Sequence, residues 1–109
     1  MADASELLHG TLDTLLLKTL SWGPRHGYGI ARWIQATTDD ALTIGEGALY
    51  PSLYRMEQKG WIAAEWGLSE NNREVKIYRL TAAGRVRLRV ELAQWDEFTT
   101  AVGKILHAS

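Results

Sequence analysis

The feature that most constrains this chain lies near its C-terminal end. Leu88, Leu92, Trp95, Thr99, Val102 and Leu106 step by four, three, four, three and four residues, the spacing of an apolar seam along a helix that packs on another helix. Phe98 and Ile105 widen the stripe. Thr81 is an N-cap candidate, so the spacing predicts a long helix over about 82–106. The chain has 109 residues, enough for one modest domain and too few for two independent cores. The seam is therefore read as a two-fold dimer interface, with the first helix beside it.

Shorter elements precede that helix. Leu12, Leu15, Leu16 and Thr19-Leu20 recur at helical spacing over about Gly10 to Trp22, and Gly23-Pro24 stops the segment. Tyr28, Ile30, Ala31 and Ile34 mark a second helix from about Gly27 to Thr37. Thr37 to Asp40 is a polar break, and Thr43-Ile44 reads as a short extended piece. Leu49, Leu53 and Met56 form one stripe of a third helix. Pro51 is tolerable only in a first turn, which starts that helix near Glu46 to Tyr50. Lys59-Gly60 ends it. Trp61 to Trp66 and Lys76 to Leu80 read as strands, joined through Ser69-Glu70-Asn71-Asn72 as a hairpin.

Composition removes several classes of function. Hydrophobic residues make up 46% of the chain and charged residues 23%, ordinary values for a globular domain. There is no cysteine, hence no disulfide framework, thiolate catalysis or Cys-type zinc site. His9, His26 and His107 are too scattered for a local metal motif. No apolar run approaches the roughly 20 residues of a membrane span. Met1 to Glu6 carries acids where a secretory signal carries bases, so a cytoplasmic location is expected. Met1 to Ser5 and His107 to Ser109 are expected to be disordered. Asp39-Asp40 and Asp96-Glu97 are sequence neighbours that do not face one another on a helix. No nucleophile triad, phosphate loop or metal pattern is found, and no catalytic residue, cofactor or metal is expected.

Charge is informative in its distribution. The net charge is −1, too little for a protein that coats nucleic acid by charge alone. Yet residues 73–89 hold six bases (Arg73, Lys76, Arg79, Arg85, Arg87 and Arg89) against the single acid Glu74, a segment able to hold a phosphate backbone locally. Three short helices, a hairpin and a long helix give a mainly α fold with a small β-hairpin. That is the order of a winged helix-turn-helix over 1–81 with a C-terminal dimerisation helix over 82–109, in one structural unit. Its third helix enters the major groove and its hairpin reaches the adjacent groove or backbone. A winged-helix protein–protein adaptor without DNA is the alternative.

The chain resembles the PadR family of transcriptional regulators over nearly its full length. The matching stretches are Gly10-Thr11-Leu12-Asp13, His26 to Ile30, Gly47 to Leu53, Glu57 to Ile62 and Tyr78 to Gly84. The short last helix resembles the family's smaller subgroup. The resemblance implies a dimeric winged-helix repressor, often of stress or efflux genes, acting on double-stranded DNA with no membrane role. In the third helix, Tyr50, Ser52, Tyr54 and Arg55 lie off the apolar stripe and are the expected DNA contacts, Tyr50 and Ser52 foremost. Arg55 has the competing role of a surface ion pair. Ala48 stands where the family usually has Ser or Thr, leaving Gly47 as a weaker cap. In the hairpin, Arg73 and Lys76 are the expected backbone contacts, beside a tip that Glu74 and Val75 make less basic than the family's. Trp95 takes a place comparable to a tryptophan that, in one branch of the family, stacks flat apolar ligands at the dimer centre. Trp95 and Phe98 are thus candidates for a small aromatic effector, while a closed dimer core built on Trp95 is the preferred reading. Trp22, Trp33, Trp61 and Trp66 are expected in or over the domain core.

Overall fold

A computed structural model describes residues 11–109. The expected disorder of Met1 to Ser5, the start of the first helix at Gly10, and His9 lie outside the described residues. Helix α1 (Leu12–Leu20) buries Leu16, Leu17, Thr19 and Leu20. The Thr19 hydroxyl, though buried, donates to the Leu15 carbonyl at 2.8 Å, so it carries no unpaired polar group inward. Strand β1 (Arg25–His26) leads directly into α2 (Gly27–Thr37). His26 caps α2: its Nδ1 accepts from the Gly29 N–H at 3.1 Å.

Helix α3 (Glu46–Gln58) starts where expected, but its cap is Gly45, not Gly47, and no side chain caps it. Pro51 falls in the second turn instead of the first, so the N–H that would donate to Gly47 is missing. An interior proline costs about 3 kcal/mol. Burial of Leu49, Leu53 and Met56 offsets it, at about 1.5–3 kcal/mol for each side chain removed from water. The helix therefore persists through a residue that propensity alone would place at its start.

Strands β2 (Ile62–Leu68) and β3 (Glu74–Leu80) pair antiparallel from Ile62↔Leu80 to Leu68↔Glu74. Both reach farther toward the turn than the sequence predicts. The sheet has a third strand: β1 pairs with β3 through Arg25↔Tyr78 and His26↔Ile77, giving the order β1-β3-β2. A two-residue strand has no readable period, which is why the hairpin reading missed it. Thr43-Ile44, expected to be extended, lies in no strand. Ile44 is instead buried in the core with Leu16, Leu17, Ile30, Leu53 and Met56.

Helix α4 (Ala82–Leu106) is capped by Thr81, whose hydroxyl accepts from the Gly84 N–H at 3.0 Å. Among the described residues its first half lies on the body: Leu88 joins the core and Leu92 packs against it. No helix among the described residues is long and apolar enough to cross a membrane.

Candidate nucleic-acid interface

The apolar stripe of α3 faces the core, and this orientation turns Tyr50, Tyr54 and Arg55 outward. Tyr50 is held in place from below. Its ring lies over Gly27, where a Cβ would fall 2.7 Å from the ring atom Cε1. A side chain at Gly27 would push the Tyr50 ring out of this position. Tyr54 is more exposed than Tyr50 and makes no hydrogen bond among the described residues. Arg55 is held at 2.8 Å from Asp13 of α1, the ion-pair role that competed with DNA contact, with Asp13 as the partner.

Ser52 corrects the sequence reading. It is only 4% exposed, because it sits beside Leu53 on the inner half of the helix. Its hydroxyl lies 3.4 Å from Arg55 Nη2, beneath the surface expected to meet DNA.

The tip between β2 and β3, the wing, is tied off by Ser69. Its N–H donates to the Arg73 carbonyl at 2.9 Å, its carbonyl accepts from Asn72 at 2.9 Å, and its hydroxyl accepts from the Arg73 N–H at 3.2 Å. The Arg73 side chain is thus presented from a fixed turn and is exposed. Lys76 is 3.6 Å from Glu57 of α3, so it joins wing to helix before it meets any phosphate. Beneath this pair the Tyr78 phenol is held above its ordinary pKa, first by burial and then by the Glu57 carboxylate and Tyr50.

The basic segment 73–89 is divided between two elements, with Arg73, Lys76 and Arg79 on the wing and Arg85, Arg87 and Arg89 on α4. Sequence reasoning missed three exposed features. Trp66, read as core or cover, is 66% exposed and stands with Leu68 on the face of β2 that continues from the core residue Ile62 and the half-buried Ala64. Period-two alternation puts these residues on one face, but it does not say where the body beneath that face ends. Trp22, read in the same way, is also exposed, whereas Trp33 and Trp61 are partly buried against the core. On α2, Tyr28 and Arg32 form an exposed pair one turn apart, with Arg32 Nη1 3.4 Å from the Tyr28 hydroxyl. Their i, i+4 spacing was legible; that the pair faces solvent was not.

The seam of α4 divides as well. Leu88 is 7% exposed and Leu92 half-buried, both against the chain's own body, while Trp95, Phe98, Thr99, Ile105 and Leu106 are exposed and Val102 half-buried. The Trp95 and Phe98 rings lie 6.2 Å apart at 40°. Beside Trp95, a groove of about 280 Å³ runs between α1 and α4, lined by Thr14, Leu15, Lys18, Leu42 and Leu92 among others. No cluster of metal-ligating side chains occurs among the described residues.

Comparison with known proteins agrees with this geometry. Residues 16–90 match the model of the transcriptional regulator PadR-like family. The fold is similar to that of a transcriptional regulator from Clostridium thermocellum, with a TM-score of 0.83 and 28% identity over 91% of this chain and 96% of that one. A PadR family transcriptional regulator from Eggerthella lenta is 35% identical, with a TM-score of 0.78 over 95% and 88% of the two chains. An uncharacterized protein of Lysinibacillus sphaericus is 31% identical over 93 residues, 85% of each chain.

Proposed function

The chain belongs to the PadR-like family of transcriptional regulators, and from that premise we propose that it is a cytoplasmic repressor that binds a pseudo-palindromic operator as a homodimer. It is a regulator by family and not an enzyme. The observation that carries the reading is the pairing of two surfaces: the outward Tyr50–Tyr54 face of α3 and the wing turn that presents Arg73. Two such units, related by a two-fold axis through the exposed half of α4, would set their third helices about 34 Å apart, one turn of DNA. Tyr50, Tyr54 and Arg73 are the proposed contacts. Arg55 and Lys76 are each paired with a carboxylate, Asp13 and Glu57, with which a phosphate would compete. Repression follows from occupying a promoter. Release requires an effector that binds the two states of the dimer differently.

Selection from a pool of random DNA duplexes, followed by anisotropy titration of the enriched sequence, tests this reading. Tyr50→Ala and Arg73→Ala are expected to weaken binding by about 1–3 kcal/mol each without unfolding the protein. Arg73→Ala should also flatten the salt dependence by about one counterion per lost phosphate contact. Unchanged affinity and slope in both variants would show that DNA meets another surface. The competing adaptor reading draws on the ion-paired Arg55 and Lys76 and the exposed Trp66. A folded dimer that enriches no duplex would favour it.

A further inference from the structure

The end of α3 and the start of α4 are joined through one residue, Trp61. Its N–H donates to the Met56 carbonyl in the last turn of α3, at 3.0 Å. Its carbonyl accepts from the Thr81 N–H at 3.1 Å and lies 2.9 Å from the Thr81 hydroxyl. That hydroxyl is also 2.6 Å from the Gly60 carbonyl, and it caps α4 through the Gly84 N–H. Gly84 is buried here. A Cβ at this position would lie 2.0 Å from the Trp61 carbonyl oxygen, so any side chain forces the two helices apart. One turn further on, the Arg87 guanidinium stands 4.9 Å from the centre of the Trp61 ring, and Lys59 stands 4.7 Å from it. Arg87 Nε is buried with no hydrogen-bond partner, so the ring face and the ion pair to Glu91 hold the group. Capping α4 requires the Thr81–Gly84 contact alone. The Thr81 bonds to Trp61 and the Arg87 cation over its ring go beyond a cap, and with the close approach of Gly84 they hold α4 at three successive positions.

We infer that this joint of Trp61, Thr81, Gly84 and Arg87 fixes the angle between α3 and the dimer seam, and so sets the half-site spacing that the protein accepts on DNA. The inference rests on the operator-binding reading above and makes these four positioning residues, none of them in contact with DNA. Leverage is the physical reason. From Gly84 to Thr99, well into the exposed half of α4, the helix rises about 22 Å. A tilt of about 10° at the joint moves α3 by about 4 Å relative to the seam, and two-fold symmetry doubles the change to about 8 Å, more than two base-pair steps of about 3.4 Å. Half-site spacing is therefore the property most sensitive to this joint.

The test is a selection from random-sequence DNA duplexes with the full-length wild type and with Thr81→Val, Gly84→Ala and Arg87→Met, accompanied by sedimentation and thermal melting. The wild type is expected to enrich paired half-sites at a single separation. The variants are expected to remain folded dimers and to enrich the same half-site sequence with separations spread or displaced by about one or two base pairs. They should bind the wild-type duplex about tenfold more weakly. If Gly84→Ala does not fold, Arg87→Met carries the test, since it adds no bulk against the Trp61 carbonyl, whereas in Thr81→Val a methyl replaces a hydroxyl 2.9 Å from it. Folded variants that keep the single separation and full affinity overturn the inference, as do variants that lose the half-site sequence itself, because the damage then lies in the DNA surface. A wild type that enriches no paired sites removes the operator reading and this inference with it.

Discussion

The two halves of α4 carry one periodic pattern and meet different surroundings. Residues 82–92 place Gly84 and Leu88 in the protein interior and Leu92 against it, and Glu91 accepts from Thr14 of α1 at 3.2 Å. Residues 95–106 continue the same stripe into solvent, with Trp95 45% and Leu106 72% exposed. Helical spacing reports that a face needs covering. It does not say what covers it. In the first half the chain's own core does so. In the second half none of the described residues covers most of it, and exposed aromatic and aliphatic side chains in a row are the mark of an interaction surface. The seam that reads as one interface in the sequence is therefore an anchor followed by a stripe open to solvent, and Leu88 belongs to the anchor.

Breaking the anchored half should have the larger effect on folding. Leu88→Ala removes a core side chain, and such truncations cost about 2–5 kcal/mol. A fall of that size in urea-unfolding stability, unchanged by protein concentration, is expected. A loss below about 1 kcal/mol would place Leu88 outside the core.

Breaking the exposed half should act on assembly instead. Val102→Glu combined with Leu106→Glu is expected to leave the protomer folded, with the stability of a dilute sample changed by only about 0.5 kcal/mol per surface site. Dimer dissociation should rise by about a hundredfold or more, since each buried aliphatic contributes about 1.5–3 kcal/mol and symmetry repeats every substitution. Sedimentation of an intact dimer of this variant would show that the two-fold axis lies elsewhere.

Trp95 stands at the boundary, and its effect should be the smallest. If it fills the seam, planar cationic dyes will not quench tryptophan fluorescence saturably at micromolar concentration, and Trp95→Ala will weaken the dimer modestly. Saturable quenching that vanishes in the Trp95→Ala dimer would instead make the groove beside α1 a ligand site. Stacking on the indole would then supply about 0.5–1.5 kcal/mol per ring pair.

Much of the architecture was legible from local signals. The limits of α2, the end of α3 and the whole of α4 follow from periodicity, Lys59-Gly60 and the Thr81 cap, all of which act within a turn or two of chain. The candidate site was less legible. Tyr50 and Arg73 read as residues standing off an apolar stripe and in a turn, and both are exposed. Ser52 was misplaced because a helix wheel does not show how far a neighbouring body wraps around it. Arg55 and Lys76 were found as bases, but their partners Asp13 and Glu57 come from other elements. Trp66 was misread because the sheet outruns the core beneath it.

By itself, the sequence determined the order of the helices and the hairpin, the inward stripe of α3 and the absence of cysteine chemistry, since each follows from residue type and from spacing over fewer than about ten residues. Only the tertiary structure decided that β1 completes the sheet, that Leu88 faces its own core while Leu106 faces solvent, and that Trp61 binds α3 to α4. These contacts join residues far apart in the chain: Arg25 with Tyr78, Trp61 with Gly84, Asp13 with Arg55. Local spacing cannot encode them, because closing the chain over such distances is set by the packing of all the elements at once.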